Sequence, residues 1–335
     1  MKICVTGANG FVGSNLCRTL IEKGHQVTGL IRNTARLEFI GNLSDLGICT
    51  GDITDPDSLK LAFTGVSIVY HVAGYTSDWG PWKKFQAVNI HGVRNVMECA
   101  ISCGVRRVVH ISSVSVYGFH GAMDIKEDQS WILRPDDPYV TSKQKGEETA
   151  LGFNGKGIEV TVLRPAGLYG PNDRTTSLKL LPEITRRRFP YIDGGRYVMG
   201  PIYIDNFVQA AMLAGQKDSA PGQTYNIVDD GLTTWREYVE WMCEDLKCAK
   251  PLLSVPAWIA WPLACLVEAL ARAFGLEDAP PITKYRIRAV MADSHFSSDK
   301  AKRELGYKPE ISTREGLRRT VNWYLQYTAQ DQGSK

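Results

Sequence analysis

Lys2-Ile3-Cys4-Val5-Thr6-Gly7-Ala8-Asn9-Gly10-Phe11-Val12-Gly13 is the stretch whose reading decides the fold. Its first five residues form a β-branched run typical of a buried strand, and Phe11, Val12, Leu16, Leu20 and Ile21 then recur at helical spacing up to Gly24. Between strand and helix lie three glycines with separate uses. Gly7 permits a tight turn, Gly10 lets the main chain approach a pyrophosphate without a Cβ in the way, and Gly13 lets helix and strand pack closely. The helix start adds free N–H groups and the positive end of its dipole.

Working outward, short β-branched runs keep alternating with amphipathic segments. Strands are predicted at Gln26–Ile31, 47–50, 67–71, Arg107–Ile111 and 158–163. Helices are predicted at 55–63, 82–103 and Pro138–Leu151, the last with proline in its first turn. The fold class is therefore α/β, with a doubly wound parallel sheet. After Pro165 prolines and glycines become frequent, which marks chain leaving the sheet. Tyr203–Leu213 and Thr224–Val228 look like returns to it. The division expected is a nucleotide-binding domain over 1–165, with returning segments near 201–228, and a smaller mixed α/β cap over 166–335.

The length of 335 residues suits that arrangement. Lys and Arg at 39 against Asp and Glu at 36 give a net charge of +3, and 44% of residues are hydrophobic, so a disordered or acidic scaffold is excluded. The only dense basic run, Arg186-Arg187-Arg188, reads as a solvated helix end, and no nucleic-acid partner is expected. The eight cysteines lack C-x2-C spacing and read as reduced thiols. His25, His71, His91, His110, His120 and His295 show no ligand spacing, and no metal is expected. Met1-Lys2 runs straight into the first strand without a leader pattern, so the expected compartment is the cytoplasm. Leu252 to Phe274 qualifies this, being apolar apart from Glu268 and Arg272 but interrupted by Pro256 and Pro262. For Val255–Phe274 three readings stand: a buried cap helix, a lid over substrate, or a helix on a membrane surface.

Six motifs in order carry a family resemblance: Thr6 to Gly13, Gly51-Asp52-Ile53, His71-Val72-Ala73-Gly74, Ser112-Ser113-Val114-Ser115-Val116-Tyr117-Gly118, Tyr139-Val140-Thr141-Ser142-Lys143, and Leu163-Arg164-Pro165-Ala166-Gly167-Leu168-Tyr169-Gly170-Pro171. With its Gly-x2-Gly-x2-Gly spacing, the chain resembles the extended short-chain dehydrogenases/reductases of the epimerase/dehydratase superfamily. Within them it is most similar to the 3β-hydroxysteroid dehydrogenase-like group. The resemblance implies a Rossmann domain holding NAD(P). Gly7, Asn9, Gly10, Phe11, Val12 and Gly13 would line the pyrophosphate, Asp52 and Ile53 the adenine, and Val72, Ala73 and Gly74 the nucleotide. Pro165 and Ala166 would lie near the carboxamide, and Asn89 matches the family's helix asparagine, an architectural and proton-relay position. A homodimer through 82–103 and Pro138–Leu151 is also implied.

The second strand ends in Leu30-Ile31-Arg32-Asn33, where a carboxylate would bond the ribose 2′-OH of NAD. Arg32, with Arg36, would pair with a 2′-phosphate instead, so NADP(H) is expected over NAD(H). Tyr139 and Lys143, four apart, share one helix face, where an ammonium would stabilise a phenolate and lower its pKa. Lys143 would also bond the nicotinamide ribose. The resemblance favours Ser113 over Ser112, because it stands four residues before Tyr117 as in the extended family; it would bond the reacting oxygen while Tyr139 moves the proton. Tyr75, Trp79, Val114 and Tyr169 are the expected substrate contacts. Gly200 to Phe207 resembles the hydroxysteroid dehydrogenase Val-Asp-Asn stretch, and the expected substrate is an apolar, steroid-like or long-chain β-hydroxy/β-keto acyl molecule. The alternatives are nucleotide-sugar epimerisation or dehydration with tightly bound NAD, for which only Arg174 or Arg187 offers a diphosphate clamp, and a non-catalytic nucleotide sensor.

Overall fold

The computed structural model describes residues 1–32, 37–119 and 121–333; Arg36 and His120 lie outside them. Strands β1 (Lys2–Thr6), β2 (Gln26–Ile31), β3 (Leu46–Thr50), β4 (Ile68–His71), β5 (Arg107–Ile111), β6 (Glu159–Pro165) and β7 (Thr224–Ile227) form one sheet. Its order is β7-β6-β5-β4-β1-β2-β3, every pairing being parallel. Parallel strands need crossover helices, which cover both faces, and so β5 is buried at all five positions. The strand order reverses between β1 and β4, where Thr6 stands in register with His71. A crevice opens there outside the carboxyl ends, the usual ligand site of such sheets.

The helices facing the site are α1 (Phe11–Glu22), α2 (Pro56–Phe63), α3 (82–102) and α4 (Pro138–Leu151). Asp55 and Asp137 cap α2 and α4 by accepting from Asp57 N and Val140 N, with proline in each first turn. The long helix α3 is not regular, because Ala87–His91 forms a π turn within it. Such bulges often mark functional sites. α4 packs against this turn, and only a glycine fits at Gly146, where a Cβ would lie 2.3 Å from the Asn89 carbonyl oxygen.

The chain returns to the sheet as expected, with one difference: Ile204–Gln216, here α5, is a helix laid on it, and Thr224–Ile227 is the edge strand. The motif around Asn206 is a structural hub. Its side chain donates to Asp229 and to the Ile311 carbonyl and accepts from Glu310 N and Ile311 N, which ties down the chain's approach to the last helix.

The cap includes α6 (Trp235–Leu246), α7 (Ala257–Ala273), α8 (Lys284–Met291) and α9 (Thr313–Gly333). α7 corrects the buried-helix expectation. It turns Ala260, Ala264, Glu268 and Ala271 inward, whereas Trp258, Leu263, Leu266 and Leu270 face out, followed by Phe274 at 79% exposure. The small residues permit close packing on α8, and the large ones lie on the opposite arc of the helix. Among the described residues, no helix is long and apolar enough to cross a membrane.

Candidate active site

The glycine turn behaves as its sequence requires. Gly7 has φ +69°. A Cβ on Gly13 would sit 2.2 Å from the Gly7 carbonyl oxygen and 2.8 Å from Ala8 Cα. Gly10 differs: it is exposed, and a Cβ there would approach only the Gly7 oxygen, at 3.2 Å. Gly10 is also the N-cap of α1, and no side chain caps that helix. The turn therefore offers an open backbone surface at a helix N-terminus, which fits a bound pyrophosphate.

Thr6 joins the ends of β1 and β4. Its hydroxyl accepts from Val72 N at 3.1 Å and Ala73 N at 3.0 Å, so its own proton points to His71 Nδ1 at 2.9 Å. That leaves the neutral ring's proton on Nε2. Gly74 follows beside Asn89. At the end of β3 the Asp52 carboxylate accepts from Thr54 N and Thr54 Oγ1, and Ile53 is buried against Gly92. Arg32, the first residue past β2, is exposed and makes no ion pair among the described residues. Pro165 ends β6, and Ala166 N donates to the Ile227 carbonyl.

Asn89 serves architecture. It accepts from Tyr75 N at 2.8 Å and donates to the Tyr75 carbonyl at 3.1 Å and to Ser142 Oγ at 2.9 Å. The turn after β4 and the helix bearing Tyr139 are thereby held together.

β5 ends at Ile111 and separates the two serines. Ser112 is buried and donates to Glu147 at 2.6 Å. Ser113 starts a short 3₁₀ turn, accepts from Ser115 N, and lies with Ser115 against the Tyr139 phenol. Burial raises the Tyr139 pKa, while these two hydroxyls ease its ionisation. This corrects the expected lowering by Lys143. Lys143 Nζ donates to the Ile111 carbonyl at 3.0 Å, and burial, opposed by the Glu147 charge, brings its pKa down to about 8. Beneath it lie the neutral rings of His71 and His110, with centroids 5.2 Å apart; burial holds His71 down to about 3, helped by the Lys143 charge.

A polar network missed by the sequence reading underlies these residues. The fully buried Glu147 takes Arg164 in a two-pronged pair at 2.5 and 3.1 Å. Arg164 also donates to Tyr117 Oη at 2.6 Å, and that hydroxyl donates to Asn226 at 2.8 Å. The signal was present, since Glu147 stands four residues after Lys143 on the same helix face, but nothing local announces a buried partner.

The expected substrate contacts divide. Tyr75, half-buried, packs against Phe85 with centroids 4.7 Å apart and the rings tilted at 58°, and Val114 is the residue after Ser113. Trp79 is buried and joins this loop to the cap: its indole N–H donates to the Leu276 carbonyl at 3.0 Å, and Arg272 lies over its ring. Tyr169 is corrected. It is 1% exposed, packs on Tyr203 and Tyr238, and donates to Asp229 and the Thr313 carbonyl. The pairing of Gly167–Tyr169 with Pro201–Tyr203 turns it into the cap interior. The Tyr139 ring is met by Tyr285 at 5.6 Å, which also meets Phe119 at 5.2 Å, both edge-on.

The pattern of the NAD dependent epimerase/dehydratase family matches residues 3–228. The chain is 32% identical to YbjS of Escherichia coli strain K12, over 96% of this chain and 97% of that protein. It is 28% identical to the 2-alkyl-3-oxoalkanoate reductase of Stenotrophomonas maltophilia, over 95% and 98%. It is also 28% identical to the 3 beta-hydroxysteroid dehydrogenase/Delta 5-->4-isomerase of Mycobacterium tuberculosis, over 97% and 90%. Among solved structures, gox2253 superposes with a TM-score of 0.81 at 28% identity, covering 97% of this chain and 98% of that one. The UDP-glucuronic acid 4-epimerase of Bacillus cereus, at 22% identity and a TM-score of 0.78, covering 98% and 100%, shares the fold.

Proposed function

The chain belongs to the NAD-dependent epimerase/dehydratase family and is an NAD-dependent enzyme acting on CH–OH groups, and from that premise we propose that it interconverts a secondary alcohol and a ketone on an apolar substrate. The observation that carries this reading is the placement of the Tyr139 phenol, between the Ser113 and Ser115 hydroxyls and the ring of Tyr285, which is itself backed by Phe119. The near side supplies hydrogen bonds for one oxygen, and the far side accepts apolar bulk.

The nicotinamide cofactor supplies or takes up a hydride when bound. Gly7, Asn9, Gly10, Phe11, Val12 and Gly13 would hold its pyrophosphate, with Asp52, Ile53, Val72, Ala73, Gly74, Pro165 and Ala166 along its length. Ser113 orients the substrate oxygen, and Tyr139 gives or takes its proton. Lys143 would bond the ribose of the cofactor. Turning its ammonium from the Ile111 carbonyl toward the phenol would bring a positive charge to bear on the Tyr139 pKa.

The relative named as a 2-alkyl-3-oxoalkanoate reductase, matched along nearly its whole length, supports a long-chain β-keto or β-hydroxy acyl substrate, and the hydroxysteroid dehydrogenase supports a steroid-like one. The fold shared with the epimerase does not favour a nucleotide sugar. Nor do the two clamp arginines: Arg174 pairs with Glu38 and covers Phe39, and Arg187 is exposed at a helix end. The complete Ser113, Tyr139 and Lys143 set weighs against a mere sensor.

Assay of 3β-hydroxysteroids, 2-alkyl-3-oxoalkanoates and nucleotide sugars, with NADPH and NADH followed by absorbance, tests the reading. Turnover of an apolar member is expected; turnover of nucleotide sugars alone overturns it. Tyr139→Phe should keep cofactor affinity and lose about 10²–10⁴-fold in turnover. NADP(H) preference is part of the same proposal, supported by the exposed Arg32. Arg32→Asp should weaken NADPH binding by about tenfold or more, as loss of a charge-assisted bond does. Tighter NADH binding that ignores this substitution would discard the preference.

A further inference from the structure

The cap places one aromatic side chain against the proposed acid/base residue, and its surroundings hold it there. Tyr285, in the first turn of α8, sets its ring at 82° to Tyr139 with centroids 5.6 Å apart. The same ring meets Phe119 at 77° and 5.2 Å. Phe119 has φ +62°, a conformation that a bulky residue avoids unless the surrounding structure imposes it. Here Gly118 before it is also left-handed, pressed so closely on Ile132 that a Cβ would lie 2.4 Å from that carbonyl oxygen. Strain of this kind gathers where a side chain must be aimed.

Polar residues on either side of Tyr285 in the chain tie it to three parts of the site. Thr283 Oγ1 donates to Asp78 at 2.7 Å, and Arg286 pairs with the same carboxylate at 2.7 Å. Lys284 N donates to Glu268 of α7 at 2.9 Å. Arg288 pairs at 2.6 Å with Asp136, next to the residue that caps α4. The ring is thus fixed from the loop after β4, from α7 and from the start of the helix bearing Tyr139. An edge-on aromatic pair presents flat apolar surface at a defined angle, and preorganisation of that surface lowers the entropy lost on binding.

We propose that Tyr285, backed by Phe119, is a specificity-determining residue whose ring forms the wall receiving the apolar body of the substrate beside Tyr139. The inference rests on the alcohol–ketone reading above and adds to it which residue of the cap selects the substrate. The wall acts on binding, because it touches the substrate's non-reacting part, so its loss should raise KM more than it lowers kcat. A sugar diphosphate, with hydroxyls to satisfy, would gain little from it.

The test uses the full-length protein with a nicotinamide cofactor and two probes, a 3β-hydroxysteroid and a 2-alkyl-3-oxoalkanoate. Wild type must first turn over one of them; failure there overturns the alcohol–ketone reading and this inference together. Given that turnover, Tyr285→Ala should raise KM at least tenfold with kcat changed less than threefold and cofactor affinity unchanged. Tyr285→Phe should restore KM to within threefold of wild type, since the ring and not the hydroxyl is at work. Phe119→Ala should raise KM in the same direction and less. An unchanged KM in Tyr285→Ala, or a kcat loss as large as that of Tyr139→Phe, would overturn the inference while leaving the reading of the reaction intact. Should Tyr285→Ala not fold, Tyr285→Leu replaces it with the same expected split.

Discussion

The two sides of this site are built in opposite ways. The nucleotide side is made of strand ends and main chain: Gly7, Gly10 and Gly13 in one turn, Thr6 across to Val72 and Ala73, and Lys143 on the carbonyl of Ile111. The cap side is made of side chains far apart in sequence, such as Asp78 with Arg286, Asp136 with Arg288, and Trp79 with Leu276. The charge pair beneath the first side, Glu147 with Arg164, is buried; the second side is half open, with Asp136 at 46% exposure and Arg288 at 17%. Burial makes an unpaired charge costly, whereas exposure lets water take over from a missing partner. The nucleotide side is therefore intolerant of a lost partner, whereas on the cap side the loss of any one pair costs little, which suits a fixed chemistry on one side and a choice of substrate on the other.

Three substitutions test this contrast. Glu147→Gln should do the most harm, because it leaves the Arg164 guanidinium buried without its carboxylate, a loss of about 3–5 kcal/mol in other buried pairs. Urea denaturation measures it, and a loss under 1 kcal/mol would show that the network is dispensable. Gly13→Ala comes next. Its Cβ meets backbone, which cannot swing aside as a side chain can, so destabilisation of about 1–3 kcal/mol is expected together with weakened cofactor binding. Full cofactor affinity in a calorimetric titration would remove Gly13 from the cradle. Asp136→Asn should cost least, about 0.2–1 kcal/mol, as exposed pairs do. A thermal shift as large as that of Glu147→Gln would erase the distinction between the two sides.

Much of the nucleotide side was legible because its determinants are local. A glycine turn between strand and helix is a property of twelve consecutive residues, and Tyr139 and Lys143 meet because helix geometry brings residues four apart to one face. The choice of Ser113 over Ser112 rested on spacing, and the structure gives it a physical ground: alternate residues at a strand end point opposite ways, so Ser112 turns in to Glu147 and Ser113 toward Tyr139. Where the reading failed, the determinant was distant. Tyr169 sits in a motif beside the sheet edge, yet its direction is set by pairing with Pro201–Tyr203 and by a contact with Thr313. The acidity expected of Tyr139 depended on where Lys143 directs its charge, and a carbonyl on another element decides that.

The apolar run of α7 shows the same division. The sequence read Val255–Phe274 as an apolar helix with three possible settings; the structure shows Ala257–Ala273 as the helix and buries the arc that carries the small residues Ala260, Ala264 and Ala271. By itself, then, the sequence determined the parallel sheet, the glycine turn and the sharing of one helix face by Tyr139 and Lys143, since each is encoded in short-range periodicity and in steric limits on single residues. Only the tertiary structure decided that Glu147 and Arg164 neutralise each other beneath that helix face, that Tyr169 turns into the interior, and that Tyr285 stands beside Tyr139. Those outcomes depend on which distant segments share the scarce space around the sheet edge, and that is fixed by the packing of the whole chain at once.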